Sequence, residues 1–289
     1  MTRVAVLGMG IMGSRIARNL LNAKLPVTVF NRTPARAEPL LAAGAAWAST
    51  PAEAAQNAEL VLSVVADDAA SHEVWLGENG ALEAMARGAL MVECATLSPD
   101  WVQSLHGEAR QRGVHFIDAP LGGGKAMVEA GTLSLFVGAA PEDLEAARPV
   151  LSAFAAGLLH FGPPGAGTRF KLVNNLFVAA QVAALGEALA LAEALGLPMQ
   201  TVGEAWQNSG VTSIVARAKL PFMLARNYAD TNFALRWMHK DVGYALQSAE
   251  ALGLELPLGE VAQARYAAGL ARGLGDQDFA AVAEVSRER

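Results

Sequence analysis

The stretch Gly8-Met9-Gly10-Ile11-Met12-Gly13 directly follows the apolar run Arg3–Leu7 and directly precedes a segment with apolar residues at helical spacing, from Ile16 to Leu21. Glycines at the first, third and sixth positions permit a tight turn. They also let the backbone approach a pyrophosphate and let the helix pack closely on the strand. The free N–H groups and the positive end of the helix dipole then attract an anion. The stretch therefore predicts a dinucleotide-binding turn.

The end of the second predicted strand, Val27–Phe30, indicates which dinucleotide is bound. About 20 residues after the first glycine, an NAD-specific site usually has an Asp or Glu that binds the ribose 2′-hydroxyl. Here the strand is followed by Asn31-Arg32-Thr33, without an acid. Arg32 could bind a 2′-phosphate through two N–H groups, with the Thr33 hydroxyl and Arg36 beside it. Arg32 could also be a solvated loop charge, but the missing acid and the added cation both favour NADP (NADPH) over NAD.

The N-terminal half of the chain alternates short apolar runs with amphipathic helical stretches, which is typical of a parallel α/β sheet. One more helix is predicted over Pro141–Phe154. The segment Gly162–Gly167 that follows is rich in glycine and proline, and we place the domain boundary there, between residues 162 and 163. The predicted strands are Arg3–Leu7, Val27–Phe30, Leu60–Val65, Leu90–Cys94, His115–Asp118 and Leu133–Val137.

Beyond this boundary no strand pattern continues. Thr168 is a candidate N-cap for a long helix that runs to about Leu195, where Gly196 and Pro198 end it. The predicted fold is an α/β N-terminal Rossmann-type parallel-sheet domain (1–162) that binds NADP, joined by a long interdomain helix to an all-α C-terminal domain (163–289). The further predicted helices are Met199–Asn208, Leu235–Leu252, Leu258–Gly273 and a short one near Phe279.

Composition bears on the partners and the compartment. The 289 residues are 53% hydrophobic with a net charge of −6, so no general electrostatic attraction for nucleic acid exists. The one cysteine, Cys94, fits a reducing compartment and a position in the core. The longest uncharged stretch, Leu172–Gly186, is shorter than the ~20 apolar residues that span a bilayer, and no signal peptide is visible.

We therefore expect a cytoplasmic protein that binds a small-molecule substrate, with no nucleic-acid partner, no membrane partner and no metal. The predicted helical domain is rich in Ala and Leu and poor in charge. Such a composition favours apolar faces that pair between subunits, so we expect a homodimer or a homotetramer.

Lys171 stands near the start of the long helix, and the uncharged stretch after it indicates that this helix is mostly buried. Asn174 and Asn175 follow at i+3 and i+4, so the three side chains share one face and form a narrow polar stripe. An ammonium near a dinucleotide can polarise a carbonyl oxygen and donate its proton while hydride reaches carbon. From the residues alone, a lysine that extends its ammonium into water at the helix end is an equally good interpretation.

A second glycine-rich stretch, Asp118-Ala119-Pro120-Leu121-Gly122-Gly123-Gly124, lies between a predicted strand and a predicted helix. Its three successive glycine N–H groups could bind a substrate carboxylate. The alternative is a flexible turn. Further along the chain, Lys240-Asp241 taken alone is an ordinary surface ion pair.

Together these motifs resemble the β-hydroxyacid dehydrogenase family, which includes 3-hydroxyisobutyrate dehydrogenases, tartronate semialdehyde reductases and glyoxylate/succinic semialdehyde reductases. 6-Phosphogluconate dehydrogenase shares the early motifs but needs a much longer C-terminal helical part. The resemblance covers essentially the whole chain, in family order, through Gly8–Gly13, Phe30–Thr33, Ala95–Pro99, Asp118–Gly124 with Gly131–Leu133, Gly165–Gly167 leading to Lys171 and Asn174-Asn175, and Phe233–Leu235 leading to Lys240-Asp241.

On the substrate side, the resemblance implies that Lys171 is the catalytic acid/base and that Asn175, with Asn174, orients the substrate in a cleft between the sheet domain and the long helix. The resemblance therefore favours the interpretation that Lys171 belongs to the polar stripe over the interpretation that it extends its ammonium into water. On the cofactor side, the resemblance implies contacts of Thr96 and Lys240 with the nicotinamide side, with Asp241 as a support residue on the same helix as Lys240. It also implies that Val65 and Ala66 lie along the dinucleotide.

The substrate loop departs from the family pattern. The family usually has Ser-Gly-Gly, with the serine hydroxyl holding the substrate carboxylate, whereas this chain has Gly122-Gly123-Gly124. Four residues after that serine the family usually has a second glycine, where this chain has Ala126. Lys125 adds a charge beside the loop. The carboxylate could be bound by backbone N–H groups, or the substrate could be bulkier or less acidic.

The sequence thus predicts an NADP(H)-dependent oxidoreductase that transfers hydride between the nicotinamide and a small 3-hydroxyacid or its semialdehyde or 2-oxoacid counterpart, with Lys171 as general acid/base. One alternative is NADPH-dependent imine reduction; imine reductases look similar but generally lack the catalytic lysine. A second is a non-catalytic dinucleotide-binding module, which tends to lose that lysine as well.

Overall fold

The computed structural model describes residues 1–287 and divides the chain into two compact units. We call Met1–Lys171 the sheet unit and Leu172–Arg289 the helical unit. The division lies inside a long helix, further along the chain than the glycine- and proline-rich segment Gly162–Gly167. The first turns of this helix pack on the sheet through contacts described below, and they therefore belong to the sheet unit.

The described part of the sheet unit contains one sheet of nine strands. Its order is β3-β2-β1-β4-β5-β6-β8-β7, with β9 paired to β8. The first six strands in this order are parallel, β8 is antiparallel to β6 and β7, and β9 is parallel to β8. The strands are β1 Val4–Leu7, β2 Val27–Phe30, β3 Ala46–Trp47, β4 Leu60–Ser63, β5 Leu90–Glu93, β6 His115–Asp118, β7 Leu121–Gly122, β8 Leu133–Gly138 and β9 Ala155–Gly162.

The strand order 3-2-1-4-5-6 reverses direction next to β1, and this order is that of a dinucleotide-binding sheet. β1 and β4 lie in the middle of the sheet and every one of their residues is buried, because helices cover both faces. Ligands of such sheets bind at the carboxyl ends of the strands beside the reversal. The sheet therefore places the end of β1 at Leu7 and the end of β4 at Ser63 on either side of the expected cofactor position.

Helices follow most strands of the sheet unit, and the helical unit contains no strand among its described residues. Short 3-10 helices cover Pro34–Arg36 and Phe279–Ala283. The α-helices are α1 Gly13–Asn22, α2 Glu38–Leu41, α3 Pro51–Ala55, α4 Asp68–Leu76, α5 Ala81–Ala84, α6 Pro99–Gln111, α7 Lys125–Glu129, α8 Pro141–Leu151, α9 Ala166–Ala194, α10 Met199–Gln207, α11 Ile214–Ala225, α12 Leu235–Ala251, α13 Pro257–Ala271 and α14 Glu284–Arg287.

The helical unit encloses a core of its own, formed mainly by α9, α11, α12, α13 and the 3-10 helix Phe279–Ala283. A buried ion pair lies in it: Lys219 Nζ is 2.8 Å from Asp278 Oδ1. The Asp278 carboxylate also accepts the backbone N–H of Asn232, at 3.1 Å, and so fixes the segment before α12. Since an ion pair buried in a core needs such additional hydrogen bonds to offset its desolvation, we interpret this pair as structural.

The predicted fold class is confirmed, but several predicted elements are wrong or missing. The strands β3, β7 and β9 were not predicted: β3 and β7 have two residues each, and β9 lies at an edge and is half-exposed, so its sequence lacks a regular apolar pattern. The predicted helix Pro141–Phe154 ends earlier, at Leu151. Helix α11 was missed because Pro221, which usually breaks helices, lies inside it.

Helix α9 has 29 residues and begins at Ala166, so the prediction that Thr168 is its N-cap is wrong. By length and mean hydropathy it is also the one helix among residues 1–287 that could cross a membrane. The core helix of a soluble protein meets the same criterion, and 44% of the most apolar window of α9 is buried within the protein. This property of α9 is therefore weak support for a membrane protein.

Candidate active site

The predicted phosphate loop connects β1 to α1 in a conformation that requires glycine at two positions. Gly8 has φ +101°, a left-handed conformation that other residues rarely adopt. A Cβ on Gly13 would collide with the carbonyl oxygen of Gly8. At Gly10, by contrast, a Cβ would meet no protein atom within 4 Å. The loop thus leaves open space at the one glycine where a pyrophosphate would approach the backbone, and it fits a dinucleotide.

The side chain of Asn31 links the phosphate loop to the end of β2. Its Oδ1 accepts the backbone N–H of Met9 at 2.8 Å, and its Nδ2 donates to the carbonyl oxygen of Thr33 at 2.8 Å. Arg32 and Thr33 are exposed beside it. No carboxylate follows the strand before Glu38, so the ribose end of the loop has a cation and no acid.

Two other predicted cofactor residues lie on the segment after β4. A Cβ on Gly8 would be 2.5 Å from the carbonyl oxygen of Val64 and 3.3 Å from Cγ1 of Val65. The segment that carries Val65 and Ala66 therefore lies directly against the phosphate loop. The structure brings these two predicted positions together with the glycine-rich turn.

The segment that carries Thr96, after β5, is held by a buried carboxylate that the sequence analysis did not single out. Glu93 is fully buried and accepts hydrogen bonds from Ser71 Oγ at 2.8 Å, Trp75 Nε1 at 2.8 Å and Ala95 N at 2.9 Å. Burial raises the pKa of Glu93 to about 7, although these hydrogen bonds act in the opposite direction. A lone acid in the otherwise apolar strand β5 was the signal that could have identified it.

The start of α9 is capped by Asp118, from the end of β6. The Asp118 carboxylate is fully buried and accepts the backbone N–H of Gly165 at 2.5 Å and of Thr168 at 2.6 Å. Burial raises the pKa of this carboxyl group, and the bonds to the helix N–H groups oppose that shift. Asp118 thus performs the capping that was predicted for Thr168, from a distant part of the sequence.

Glycines let α9 approach the sheet at backbone distance. A Cβ on Gly167 would collide with the carbonyl oxygen of Phe136 in β8, and a Cβ on Gly138 would collide with the Asp118 carboxylate. Any side chain at either position would therefore push the helix away from the sheet. The first turns of α9, and with them Lys171, are held in place by this contact.

Lys171 is half-buried, and its Nζ donates a hydrogen bond of 2.8 Å to the carbonyl oxygen of Leu121. Leu121 directly precedes the substrate loop Gly122–Gly124. Within that loop Gly123 has φ +135°, and a Cβ there would be 2.8 Å from both Leu133 Cδ2 and Met127 Sδ. The ammonium is therefore directed at the head of the predicted substrate loop rather than extended into water.

In the helical unit, the structure brings together four further predicted residues. Asn175 Nδ2 donates to Asp241 Oδ2 at 2.6 Å, and Asn174 Nδ2 donates to Asn175 Oδ1 at 3.1 Å. Lys240 Nζ is 2.9 Å from Asp241 Oδ1 and lies 4.6 Å from the centre of the Tyr244 ring. Asp241 is fully buried, so the interpretation of Lys240-Asp241 as a surface ion pair is wrong. Asp241 instead orients both its neighbour and Asn175.

Among residues 1–287, no group of three or more His, Cys, Asp or Glu side chains is arranged to hold a metal ion. The chemically relevant groups of the sheet unit are instead an ammonium and backbone N–H groups, and those at the start of the helical unit are two amides. Such a set can bind anions, orient a carbonyl or hydroxyl group and exchange one proton.

Two family models match nearly the whole chain. Residues 3–162 match the NAD binding domain of 6-phosphogluconate dehydrogenase. Residues 165–286 match the model described as NAD-binding of NADP-dependent 3-hydroxyisobutyrate dehydrogenase.

Relatives and solved structures agree with these models over their full lengths. The NAD-dependent L-serine dehydrogenase of Pseudomonas aeruginosa is 33% identical over 99% of this chain and 98% of its own. The 3-sulfolactaldehyde reductase of Escherichia coli is 32% identical over 99% of this chain and 96% of its own. The structure of 3-hydroxyisobutyrate dehydrogenase from Mycobacterium tuberculosis with L-serine has a TM-score of 0.89, 31% identity and 100% coverage of both chains.

An imine reductase from Pseudomonas sp. also covers 98% of this chain, but its 21% identity and TM-score of 0.62 show the fold alone. The models and relatives identify the chain as an NAD(P)-dependent oxidoreductase of the hydroxyacid dehydrogenase type. With family models matched over both halves and relatives above 30% identity along its whole length, the chain belongs to the β-hydroxyacid dehydrogenase family.

Proposed function

We propose that this protein is an NADP(H)-dependent oxidoreductase that transfers hydride between the nicotinamide and a small 3-hydroxyacid or its semialdehyde or 2-oxoacid counterpart, with Lys171 as general acid/base. The observation that carries the proposal is the 2.8 Å hydrogen bond from Lys171 Nζ to Leu121 O. This bond holds an ammonium at the head of a loop with three successive glycines. A solvated lysine would have no reason to be fixed there.

The chemistry that we propose divides between the cofactor and the side chains. When bound, the nicotinamide supplies the hydride to the substrate carbon in reduction and receives it in oxidation. In reduction, Lys171 Nζ donates a proton to the carbonyl oxygen as negative charge develops on it; in oxidation, neutral Lys171 takes the proton from the hydroxyl group. An ammonium has three N–H donors, so Lys171 Nζ can donate to more than one oxygen at a time.

Asn174 and Asn175 follow Lys171 on the same continuous helix, and we propose that they orient the substrate. The hydrogen bond from Asn175 to buried Asp241 supports this role, because it fixes the orientation of the amide. For Lys240 and Thr96 we propose contacts on the nicotinamide side. For Val65 and Ala66 we propose contacts along the dinucleotide.

The choice of NADP over NAD is supported by the residues after β2. Asn31 is neutral and is already used to hold the phosphate loop through Met9 N. It therefore offers no carboxylate to a ribose 2′-hydroxyl. Arg32 is exposed at the same strand end, where its guanidinium could bind a 2′-phosphate. The family contains members of both kinds, since one matched model is NADP-dependent by description and the L-serine dehydrogenase is NAD-dependent by name.

The test is a kinetic panel. Oxidation of NADPH and of NADH is followed with glyoxylate, with succinic, methylmalonic and tartronic semialdehydes, and with a cyclic imine. We expect turnover of at least one oxoacid or semialdehyde, with NADPH preferred. Turnover of the imine alone would indicate an imine reductase. NADPH binding without turnover of any compound would indicate a non-catalytic module.

The same panel tests the cofactor determinant. We expect Arg32→Ala to lower the NADPH-to-NADH ratio of kcat/KM about tenfold or more, the size expected for a lost hydrogen-bonded charge pair. Arg36→Ala, in the next 3-10 helix, serves as the comparison and is expected to have the smaller effect. An unchanged ratio in Arg32→Ala would exclude Arg32 as the NADP determinant.

We also propose a homodimer or homotetramer, located in the cytoplasm, whose only other partner is a small molecule. Large apolar side chains that are exposed on α9 and α13, among them Phe177 at 67% and Leu258 at 80% exposure, support association between subunits. Light scattering is expected to give two or four times the mass of one chain. A monomer at micromolar concentration would contradict the proposal.

A further inference from the structure

The space over Gly122 is filled by an aromatic ring. A Cβ built on Gly122 would lie 2.6 Å from Cζ of Phe136 and 3.1 Å from its Cε2. Phe136 is on β8, whose Ser134 pairs with Gly122 in the sheet. The tip of the ring therefore points at the Cα atom of Gly122. At this position, where the family usually has a serine, the ring leaves no room for any side chain.

The ring cannot easily move away. Phe136 is only 7% exposed. It meets Phe170 edge-on, with ring centres 4.8 Å apart, and Phe161 edge-on at 6.0 Å. Phe161 and Phe170 are stacked at 3.9 Å. We call these three residues the aromatic cluster; because its rings pack against each other in favourable geometries, displacing one of them would cost packing energy.

The aromatic cluster lies next to both residues of the Lys171–Leu121 hydrogen bond. Phe170 directly precedes Lys171, the donor, and Gly122 directly follows Leu121, the acceptor. Phe136 contacts both of these neighbours. The ring thus lies beside the point where the proposed acid and the substrate loop meet, and it fills the space that a polar side chain at Gly122 would occupy.

We propose that Phe136 is a specificity-determining residue, which excludes a hydroxyl-bearing side chain at Gly122 and so makes the enzyme accept, besides acids, carbonyl compounds whose group facing the substrate loop is apolar. This inference rests on the proposed function, of which it specifies the substrate class. Without a side-chain hydroxyl, the loop can bind a carboxylate only through backbone N–H groups. Discrimination in favour of an acid group is therefore weak.

The first test uses the unmodified enzyme. Succinic semialdehyde and butanal have the same four-carbon chain, and differ in that a methyl group replaces the carboxylate. We expect their kcat/KM values with NADPH to differ by less than about tenfold, the lower end of the effect of one hydrogen bond to a charged group. A preference for the acid of tenfold or more would overturn the inference and leave the proposed function intact. Turnover of neither aldehyde, nor of any other carbonyl compound, would instead refute the proposed function.

The second test restores the hydroxyl. Leu is shorter than Phe, so Phe136→Leu makes room for a side chain at Gly122. We expect the double variant Gly122→Ser/Phe136→Leu to raise the acid-to-aldehyde ratio about tenfold or more. The matched control Gly122→Ala/Phe136→Leu has the same Cβ and the same space but no hydroxyl, and its ratio is expected to stay near that of the unmodified enzyme. Equal ratios in the two double variants would overturn the inference.

The single variants identify the part played by the ring. Gly122→Ser alone is expected to lower kcat/KM for both aldehydes, because its Cβ meets the Phe136 ring. If this variant were fully active and had the raised ratio without the second change, the ring would not be what excludes the side chain, and the inference would fail. Circular dichroism verifies folding; where a double variant does not fold, the ratio of the unmodified enzyme decides.

Discussion

The two glycine-rich loops of the sheet unit are formed in different ways. In the cofactor loop, after β1, the backbone itself requires glycine: Gly8 has φ +101°, and a Cβ on Gly13 would collide with Gly8 O. In the substrate loop, after β6, Gly122 has no such backbone angle, and a side chain is excluded only by the ring of Phe136. Gly8 and Gly13 therefore tolerate no substitution, whereas Gly122 can change together with its partner residue Phe136.

The largest expected effect separates the functions of the two loops. Lys171→Ala is expected to lower kcat for carbonyl reduction by ~10²–10⁴-fold, because the proton donor beside the substrate loop is lost. The Kd for NADPH should remain within about twofold, since the hydrogen bond of Lys171 is to Leu121, at the head of the substrate loop. Steady-state kinetics and a fluorescence titration with NADPH measure the two effects.

Lys171→Met serves as the control for packing, because its side chain has nearly the same length without the charge. It should be as inactive as Lys171→Ala. If either variant retained the activity of the unmodified enzyme, Lys171 would not be the acid/base.

The next effect concerns the cofactor loop alone. Gly13→Ala is expected to lower the free energy of unfolding by ~3 kcal/mol or more, since its Cβ overlaps a backbone oxygen. Gly10→Ala is the matched control: its Cβ meets no protein atom within 4 Å, so stability should be unchanged. NADPH affinity of Gly10→Ala should nevertheless fall about tenfold or more, because the Cβ fills the space that the pyrophosphate needs.

Denaturant titrations and NADPH titrations of both variants decide the matter. Equal stability losses in the two variants would mean that the loop conformation is not the one described. Unchanged NADPH affinity in Gly10→Ala would mean that the pyrophosphate does not approach the loop there.

The smallest effect concerns the buried carboxylate behind Thr96. The pKa of Glu93 is about 7 in the folded protein, against an ordinary value of 4.5. Folding therefore favours the protonated group, and this contribution to stability is complete below pH 4.5 and is lost as the pH rises through 7. The loss is roughly 3 kcal/mol at most. Glu93→Gln removes the titration, so its free energy of unfolding should fall less than that of the unmodified protein between pH 5 and pH 8.

Glu83→Gln, at an exposed acid on α5, is the control and should keep the pH dependence of the unmodified protein. Denaturant unfolding at the two pH values gives the comparison. Identical pH dependence in Glu93→Gln and Glu83→Gln would show that Glu93 does not titrate in this range.

Local patterns were sufficient to predict the framework of the fold. The bounds of β2 and β6 agree with the predicted strands Val27–Phe30 and His115–Asp118, because both are short runs that contain β-branched and aromatic residues and are flanked by turn residues. The phosphate loop is likewise local, since its glycines and the helix after it are adjacent in sequence. Edge strands such as β9 have a partner on one side only, and their pattern is too weak to be recognised.

Contacts between distant residues could not be predicted. Asp118 caps α9 from β6, so the nearby Thr168 was taken for the cap. Taken alone, Lys240-Asp241 was interpreted as a surface ion pair, because nothing in that segment indicates that Asn175, on another helix, donates to Asp241. In the same way, nothing near Glu93 in the sequence indicates that Ser71 and Trp75 of α4 donate to its carboxylate. In each case a buried carboxylate accepts a hydrogen bond from a donor that only the folded chain brings near.

The backbone contact between α9 and β8 has a consequence for engineering. Because Gly138 and Gly167 admit no side chain, they hold the start of α9, and with it the proposed proton donor, against the sheet. A combinatorial library aimed at new substrates should therefore hold these two glycines constant and vary Gly122 and Phe136 jointly. Libraries that sample those two positions one at a time would discard the productive combinations as collisions or cavities.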